Sequence, residues 1–469
     1  MSGAATGPAG APDPIEPDVI VVGGGLAGLS AAVHLADAGR AVTVLEAGPV
    51  LGGRTSSTVD DGMVIESGLH RFLGFYVELP RLLHHVGARL NDVVVWEDEA
   101  EILLPDGGPK GVFGASVVHR PLQTLGGALG NNAFLPWSQK LALVAMVTDG
   151  LRRYAADPAG LDRETVAGFA RAHGLTDESI LRILVPFTEG LFFVGPEEYS
   201  AYNFFGLIAP YLPAVQKTRI GAFRGGMSEV LIEPIAVYLR ERGVDLHVST
   251  RVEDLTLQDA AVTGVRTADR ALHAPEVVLA TGIGAAKRLI GRSLGGHPWF
   301  ADMLRLEATP SVCLQLELDE PCLPVDRSTF APGTVLAAFA EQSRSTFPGL
   351  PGRLSIIMGR PESLLDLPVE ALVELAVADG LRIGMDLRGH ILRARKVTVE
   401  EDFYSLRCGS EALRPAQATP VRGLTLAGDY THQLYLTTME GAVVSGRLAA
   451  EDVLSREPVH APATGPIPR

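Results

Sequence analysis

Residues 18–46 constrain the fold more than any other stretch. Residues 18–22, DVIVV, are a short apolar run of the kind that makes a buried parallel strand. Residues 23–28, GGGLAG, follow without a gap and carry glycine at 23, 25 and 28, the G-x-G-x-x-G spacing. Residues 29–40 read as a helix, and residues 41–45 as a second strand ending in the acid Glu46. The spacing has a mechanical meaning. Gly23 permits a tight turn, and Gly25 lets backbone N–H groups at the positive end of the helix approach a pyrophosphate. Gly28 lets helix and strand pack closely, and Glu46 can accept hydrogen bonds from a ribose. Such a unit implies an α/β chain that holds a dinucleotide, with Leu26, Ala27 and Ala47 as further contacts.

A second glycine-rich element, residues 51–56 (LGGRTS), follows the acid closely. Paired glycines ahead of Arg54 remove a Cβ obstruction, so Gly53 and Arg54 can approach the same pyrophosphate. A nicotinamide site does not usually need this element. Residues 46–56 resemble the flavin-binding extension of the amine oxidase and carotenoid desaturase superfamily. Residues 68–76, GLHRFLGFY, resemble the G-L-H-x-F-x-G-x-Y stretch of plant-type phytoene desaturases. The resemblance implies a glutathione-reductase-type, FAD-binding Rossmann domain, discontinuous in sequence, with a second α+β substrate domain and a helical cap. It also implies that Gly68 and Leu69 pass close to the flavin ring and that His70 offers a polar group to flavin or substrate. The position matching Val252 commonly holds the adenine through its backbone.

The other end of the chain completes the resemblance. Residues 424–454 read LTLAGDYTHQLYLTTMEGAVVSGRLAAEDVL, similar to the closing A-G-D-x-T and M-E-G-A-x-x-S-G motifs of the desaturases. The apolar run at residues 424–427 brings Gly428 and Asp429 to the carboxyl end of a strand, where ligands sit in open parallel sheets. Asp429 is expected to accept a ribityl hydroxyl. Met439, Gly441 and Ala442 are expected to present free N–H groups at a helix start to the flavin. The loop at residues 430–437 should then face the flavin ring and the substrate. His432 stands where relatives usually have Lys, and Cys408 where many have Pro.

Between these ends the chain divides into alternating segments. Residues 18–105, 222–300 and 415–455 are assigned to the FAD-binding domain. Residues 106–221 form a substrate domain with a helical cap, and residues 301–414 its sheet and helices. A lead at 1–17 and a tail at 456–469 have disordered compositions. The tract at residues 122–212 is apolar and helical in pattern, with breaks at Pro136, Pro158, Pro186, Pro196 and Pro210. Residues 311–318 alternate like a strand with one wet face. Residues 282–287 (GIGAAK) imitate a second glycine loop, but Lys287 replaces the third glycine, so no nicotinamide site is expected.

Composition narrows the chemistry. The 469 residues carry a net charge of −15, which argues against nucleic acid and against electrostatic docking on anionic lipid. Three scattered cysteines fit reduced thiols rather than a disulfide framework, and no metal-ligand spacing occurs. The lead lacks a charged n-region and an apolar h-region, so no secretory signal is expected. No uncharged apolar run of about 18 residues occurs, so no spanning helix is expected. Within these bounds the resemblance implies an FAD oxidoreductase, expected to be cytoplasmic, that desaturates an apolar isoprenoid or carotenoid-type molecule by hydride transfer to flavin N5. Quinone or oxygen would accept the electrons, and an apolar substrate implies peripheral membrane contact. His432, Tyr435, His70 and Glu440 are the candidate bases. The alternatives are a flavin amine oxidase, a related isoprenoid flavoenzyme (a hydroxysqualene dehydroxylase or a carotene isomerase), and a flavin-binding scaffold without turnover.

Overall fold

The computed structural model describes residues 16–97, 99–114, 130–210 and 219–456. The expected lead and tail lie almost wholly outside these residues, as do two pieces of the helical tract. The chain is a mixed α/β protein. Among the described residues, five parallel strands form one sheet: β1 (Val19–Val22), β2 (Val42–Leu45), β3 (Asp245–His247), β4 (Glu276–Leu279) and β5 (Leu424–Leu426). Their order is β3-β2-β1-β4-β5. β1, β2 and β5 are buried throughout, which suits their apolar runs. The chain leaves β1 toward β2 on one side and later returns on the other through β4. The order therefore reverses beside β1, and a crevice opens there at the carboxyl ends.

Helices pack on this layer. α1 (Leu26–Asp37) begins at the glycine loop. Of the later helices, α2 spans Glu78–His85, α3 Trp137–Ala156, α4 Asp177–Phe192, α5 Ala201–Ile208 and α6 Met439–Ser455. α6 lies against α1 because both faces are made of small residues. The Ser30 hydroxyl donates to the Val443 carbonyl at 2.8 Å. A Cβ added to Gly446 would stand 2.1 Å from the Ala27 carbonyl oxygen. Only glycine lets α6 meet α1 this closely.

The second sheet has seven strands, in the order 391–404, 308–318, 352–358, 336–341, 329–330, 99–102 and 111–114. Glu99–Ile102 pairs with Thr329–Phe330 here, although its place in sequence put it in the 18–105 segment. Ala308–Leu318 corrects the expectation of a wet face, since it is buried along both faces. Three of its polar side chains are matched inside the protein. Gln315 donates to the Glu66 carbonyl, Ser311 donates to Asp402 at 2.6 Å, and Glu317 pairs with Arg353 and Arg393. The Gln315 bond docks the second sheet on the segment that carries residues 54–70, and the others tie neighbouring strands of the sheet together.

α3, α4 and α5 form a helical layer. Pro136 caps α3, but α4 runs straight through Pro186, contrary to the expected break. Burial of Ile183, Leu184, Pro186 and Gly190 outweighs the one backbone bond that proline removes. Among the described residues no helix is long and apolar enough to cross a membrane.

Candidate functional site

The glycine loop has the close contacts its spacing implies. Gly23 has φ +110°, and a Cβ there would lie 2.7 Å from the Ala280 carbonyl oxygen. A Cβ on Gly28 would lie 1.9 Å from the Gly23 carbonyl oxygen, which ties helix to turn. Gly25 differs: the nearest atom to its Cβ position is the Gly52 carbonyl oxygen at 3.9 Å, so the space before it is open. No side chain caps the first turn of α1. The first N–H groups of α1 are thus left without a side-chain acceptor beside that space. Glu46, at the end of β2, accepts from Gly24 N at 2.8 Å and Gly48 N at 2.6 Å, beside Ala47. Its backbone carbonyl accepts from Thr250 N at 2.7 Å, which brings the half-buried Val252 into the same corner.

The second glycine pair packs on the first. Gly52 N donates to the Gly24 carbonyl at 2.8 Å. Gly53 has φ +56° and carries Arg54 toward the far end of the chain. Arg54 donates to Asp429 at 2.6 Å and stands 3.7 Å from Asp402. Burial alone would lower its pKa, but the two carboxylates hold it raised. Protein surrounds the guanidinium, yet its side chain keeps 30% of its surface accessible, so it lines a hollow. Thr437 donates to the other Asp429 oxygen at 2.6 Å. Gly428, φ +140°, donates its N–H to Ser445 at 2.9 Å. Thr281, at the end of β4, sits between Gly23 and Gly428. Its buried hydroxyl has no partner among the described residues.

His70 lies near Arg54. Burial and the Arg54 and Arg71 charges push its pKa down to about 4, so the ring is neutral. Its Nδ1 is buried and has no partner among the described residues. Gly68, before the half-buried Leu69, faces Cys313: a Cβ there would stand 3.4 Å from that sulfur.

Several expectations for the C-terminal loop are corrected. Glu440 is fully buried and has no free oxygen to act as a base. It accepts from Val77 N and Glu78 N at 2.7 Å and Leu79 N at 2.8 Å, and so caps α2. Gly441 N is taken by the Thr438 hydroxyl at 3.1 Å, and Ala442 N by the Thr438 carbonyl at 3.0 Å. The N–H groups of Met439 and Glu440 are the ones at this helix start without partners among the described residues. A Cβ on Gly441 would meet the Leu436 carbonyl oxygen at 2.3 Å, so this glycine serves the turn. His432 does not face inward. It is half exposed and approaches Glu411 at 3.4 Å. Tyr435 stacks on Phe75 at 6.1 Å, as part of the wall behind α2. Thr281, Asp402, Arg414 and Thr437 were not singled out from sequence. Each acts through contacts that only the folded chain creates.

The flavin containing amine oxidoreductase family matches this chain over residues 26–454. This chain belongs to that family. It is a flavin-dependent oxidoreductase, and its cofactor is FAD. Among relatives, this family member is 28% identical to soybean (Glycine max) 15-cis-phytoene desaturase, over 94% of this chain and 80% of that protein. It is 27% identical to the probable zeta-carotene desaturase of Synechococcus elongatus, over 94% of this chain and all of that one. A solved putrescine oxidase shares its fold, with a TM-score of 0.74 at 17% identity. That match covers 94% of this chain and all of the other.

Proposed function

We propose that the chain desaturates an apolar isoprenoid or carotenoid-type substrate, with FAD in the crevice at the carboxyl ends of β1, β2, β4 and β5. The groups around the crevice fit FAD. Open space lies before Gly25, and the first turn of α1 is uncapped. Arg54 lines a hollow, and the Thr281 hydroxyl is unpartnered among the described residues. In this reading α1 and Arg54 hold the pyrophosphate, Glu46 and Val252 the adenosine end, and Gly428 and Asp429 the ribityl chain. Gly68, Leu69, His70 and the first turn of α6 would contact the flavin ring. Bound FAD would supply at N5 an acceptor for a hydride from one carbon, the neighbouring carbon giving up a proton as the double bond forms, and quinone or oxygen would take the electrons on.

The observation that carries the substrate class is the wall facing this loop. α5 is apolar nearly all round, and its Gly206 comes within 3.6 Å (measured from a Cβ there) of Leu436 and Tyr154. Phe193 stacks on Phe403 at 5.7 Å, and Arg54 stands 5.3 Å from the Phe403 ring. A hydrocarbon fits such a wall. The protein's own part is to orient the substrate and exclude water. His70, neutral and with a ring nitrogen that has no partner among the described residues, is the inner polar group placed to receive the proton, and its lowered pKa means that it passes the proton on rather than holds it. Trp137, Leu141 and Val144 lie exposed along one face of α3 and suit contact with a lipid surface.

Anaerobic titration tests the reading. Detergent-dispersed phytoene-like polyene should bleach the flavin, and primary amines should not. Bleaching by amines alone would replace desaturation with amine oxidation.

A further inference from the structure

We propose that Arg414 is a positioning residue for the flavin pocket, which it shapes from behind the loop at residues 428–438. The proposal rests on the FAD reading above. Arg414 is 4% exposed, and its guanidinium gathers four backbone carbonyls of that loop. Nη2 donates to Asp429 O at 3.3 Å, Thr431 O at 2.5 Å and Gln433 O at 3.4 Å, and Nε donates to Tyr430 O at 3.4 Å. Nη1 is held by both oxygens of Glu411, at 2.8 and 3.1 Å. Tyr404 lies beneath, with its ring centroid 4.9 Å from the guanidinium carbon.

This gathering has a geometric consequence. Peptide units are planar and trans, so each carbonyl drawn toward Arg414 turns the next N–H the opposite way. Thr431 N–H is taken by the Gly428 carbonyl at 3.0 Å and His432 N–H by the Pro415 carbonyl at 2.8 Å. Tyr430 N–H has no partner among the described residues and points away from Arg414. Its neighbour is Asp429, the carboxylate that holds Arg54. Arg414 thus sets the peptide plane at residues 429–430 and, through it, the direction of one donor and one carboxylate. A fork of five donors can do this, and a lysine cannot. Glu411 holds the fork in register, and Gln417 ties the loop from the same side by donating to His432 O at 2.7 Å.

The test compares wild type with Arg414→Lys, Arg414→Met and Glu411→Gln. Folding is checked by circular dichroism, FAD dissociation by fluorescence, and the pocket by the fine structure of the visible flavin band and the flavin midpoint potential. FAD affinity should fall about tenfold or more in Arg414→Met, the scale of one lost charged hydrogen bond, and less in Arg414→Lys. Glu411→Gln should blur the band and shift the potential even where its fold is intact. If Arg414→Met does not fold, the Lys and Gln variants decide. Folded variants with wild-type affinity, spectrum and potential would overturn the proposal. A wild-type chain that takes up no FAD would instead overturn the reading on which it rests.

Discussion

Asp429 and Glu440 are both buried acids of the closing motif, and their surroundings give them opposite tasks. Asp429 engages Arg54 and Thr437, one through each oxygen, and faces a hollow that Arg54 lines. Asp429→Ala should therefore leave Arg54 under-compensated and reduce FAD occupancy by about tenfold or more, since a charge-assisted hydrogen bond contributes about 1.5–3 kcal/mol. The bound flavin per chain after gel filtration measures this, and full occupancy would refute it. Burial pushes the Glu440 carboxyl up, while the Glu78, Leu79 and Val77 N–H groups work against that. Glu440→Ala should lower stability by about 2–4 kcal/mol, because three N–H donors at the start of α2 lose their acceptor. Urea unfolding reads this. A proton-transfer role would instead show as a pKa missing from the kcat profile of Glu440→Gln with stability unchanged.

At the level of elements, the contact between α1 and α6 decides whether the two ends of the chain form one site. In an exposed helix, Gly→Ala gains about 1 kcal/mol of propensity. At Gly446 the added methyl would stand 2.1 Å from the Ala27 carbonyl oxygen and 2.8 Å from Ser30 Cβ. Overpacking of that kind costs about 1–3 kcal/mol, and a backbone oxygen cannot swing aside, so the upper end applies. Gly446→Ala should therefore destabilise the protein and weaken FAD binding together. A rise in the urea midpoint would show that the helices are not in this contact. The strand at Ala308–Leu318 carries a different lesson. Alternating polar residues suggested a solvent face, but Gln315, Ser311 and Glu317 meet partners from distant segments. Alternation reports which face is polar, and it cannot tell water from a buried network.

For the whole molecule, the proposed site joins residues 23–28, 46–54, 281 and 428–442, which span most of the chain. FAD at about a hundred times its dissociation constant should add about 2.7 kcal/mol to stability. Hydrogen exchange should slow together at the start of α1, at residues 50–56 and in the 428–442 loop. The outer strands at 99–102 and 111–114 should change little. Protection confined to residues 18–30 would mean that the C-terminal loop takes no part in binding.

Local sequence determined much of this protein. Strand, glycine turn, helix, strand and acid are short-range features, and steric rules at Gly23 and Gly28 leave them few alternatives. The closing motif around Gly428 and Asp429 was read from its resemblance to the desaturase motifs. Only the tertiary structure decided which donors and acids stay free. Glu440 was lost as a base to the first turn of α2, and Gly441 and Ala442 lost their N–H groups to Thr438. His432 turned outward to Glu411. Arg414 and Asp402 gained importance from partners that sequence spacing does not reveal. A hydrogen-bonding group has its type written in the sequence, but its remaining capacity depends on every neighbour that folding brings to it.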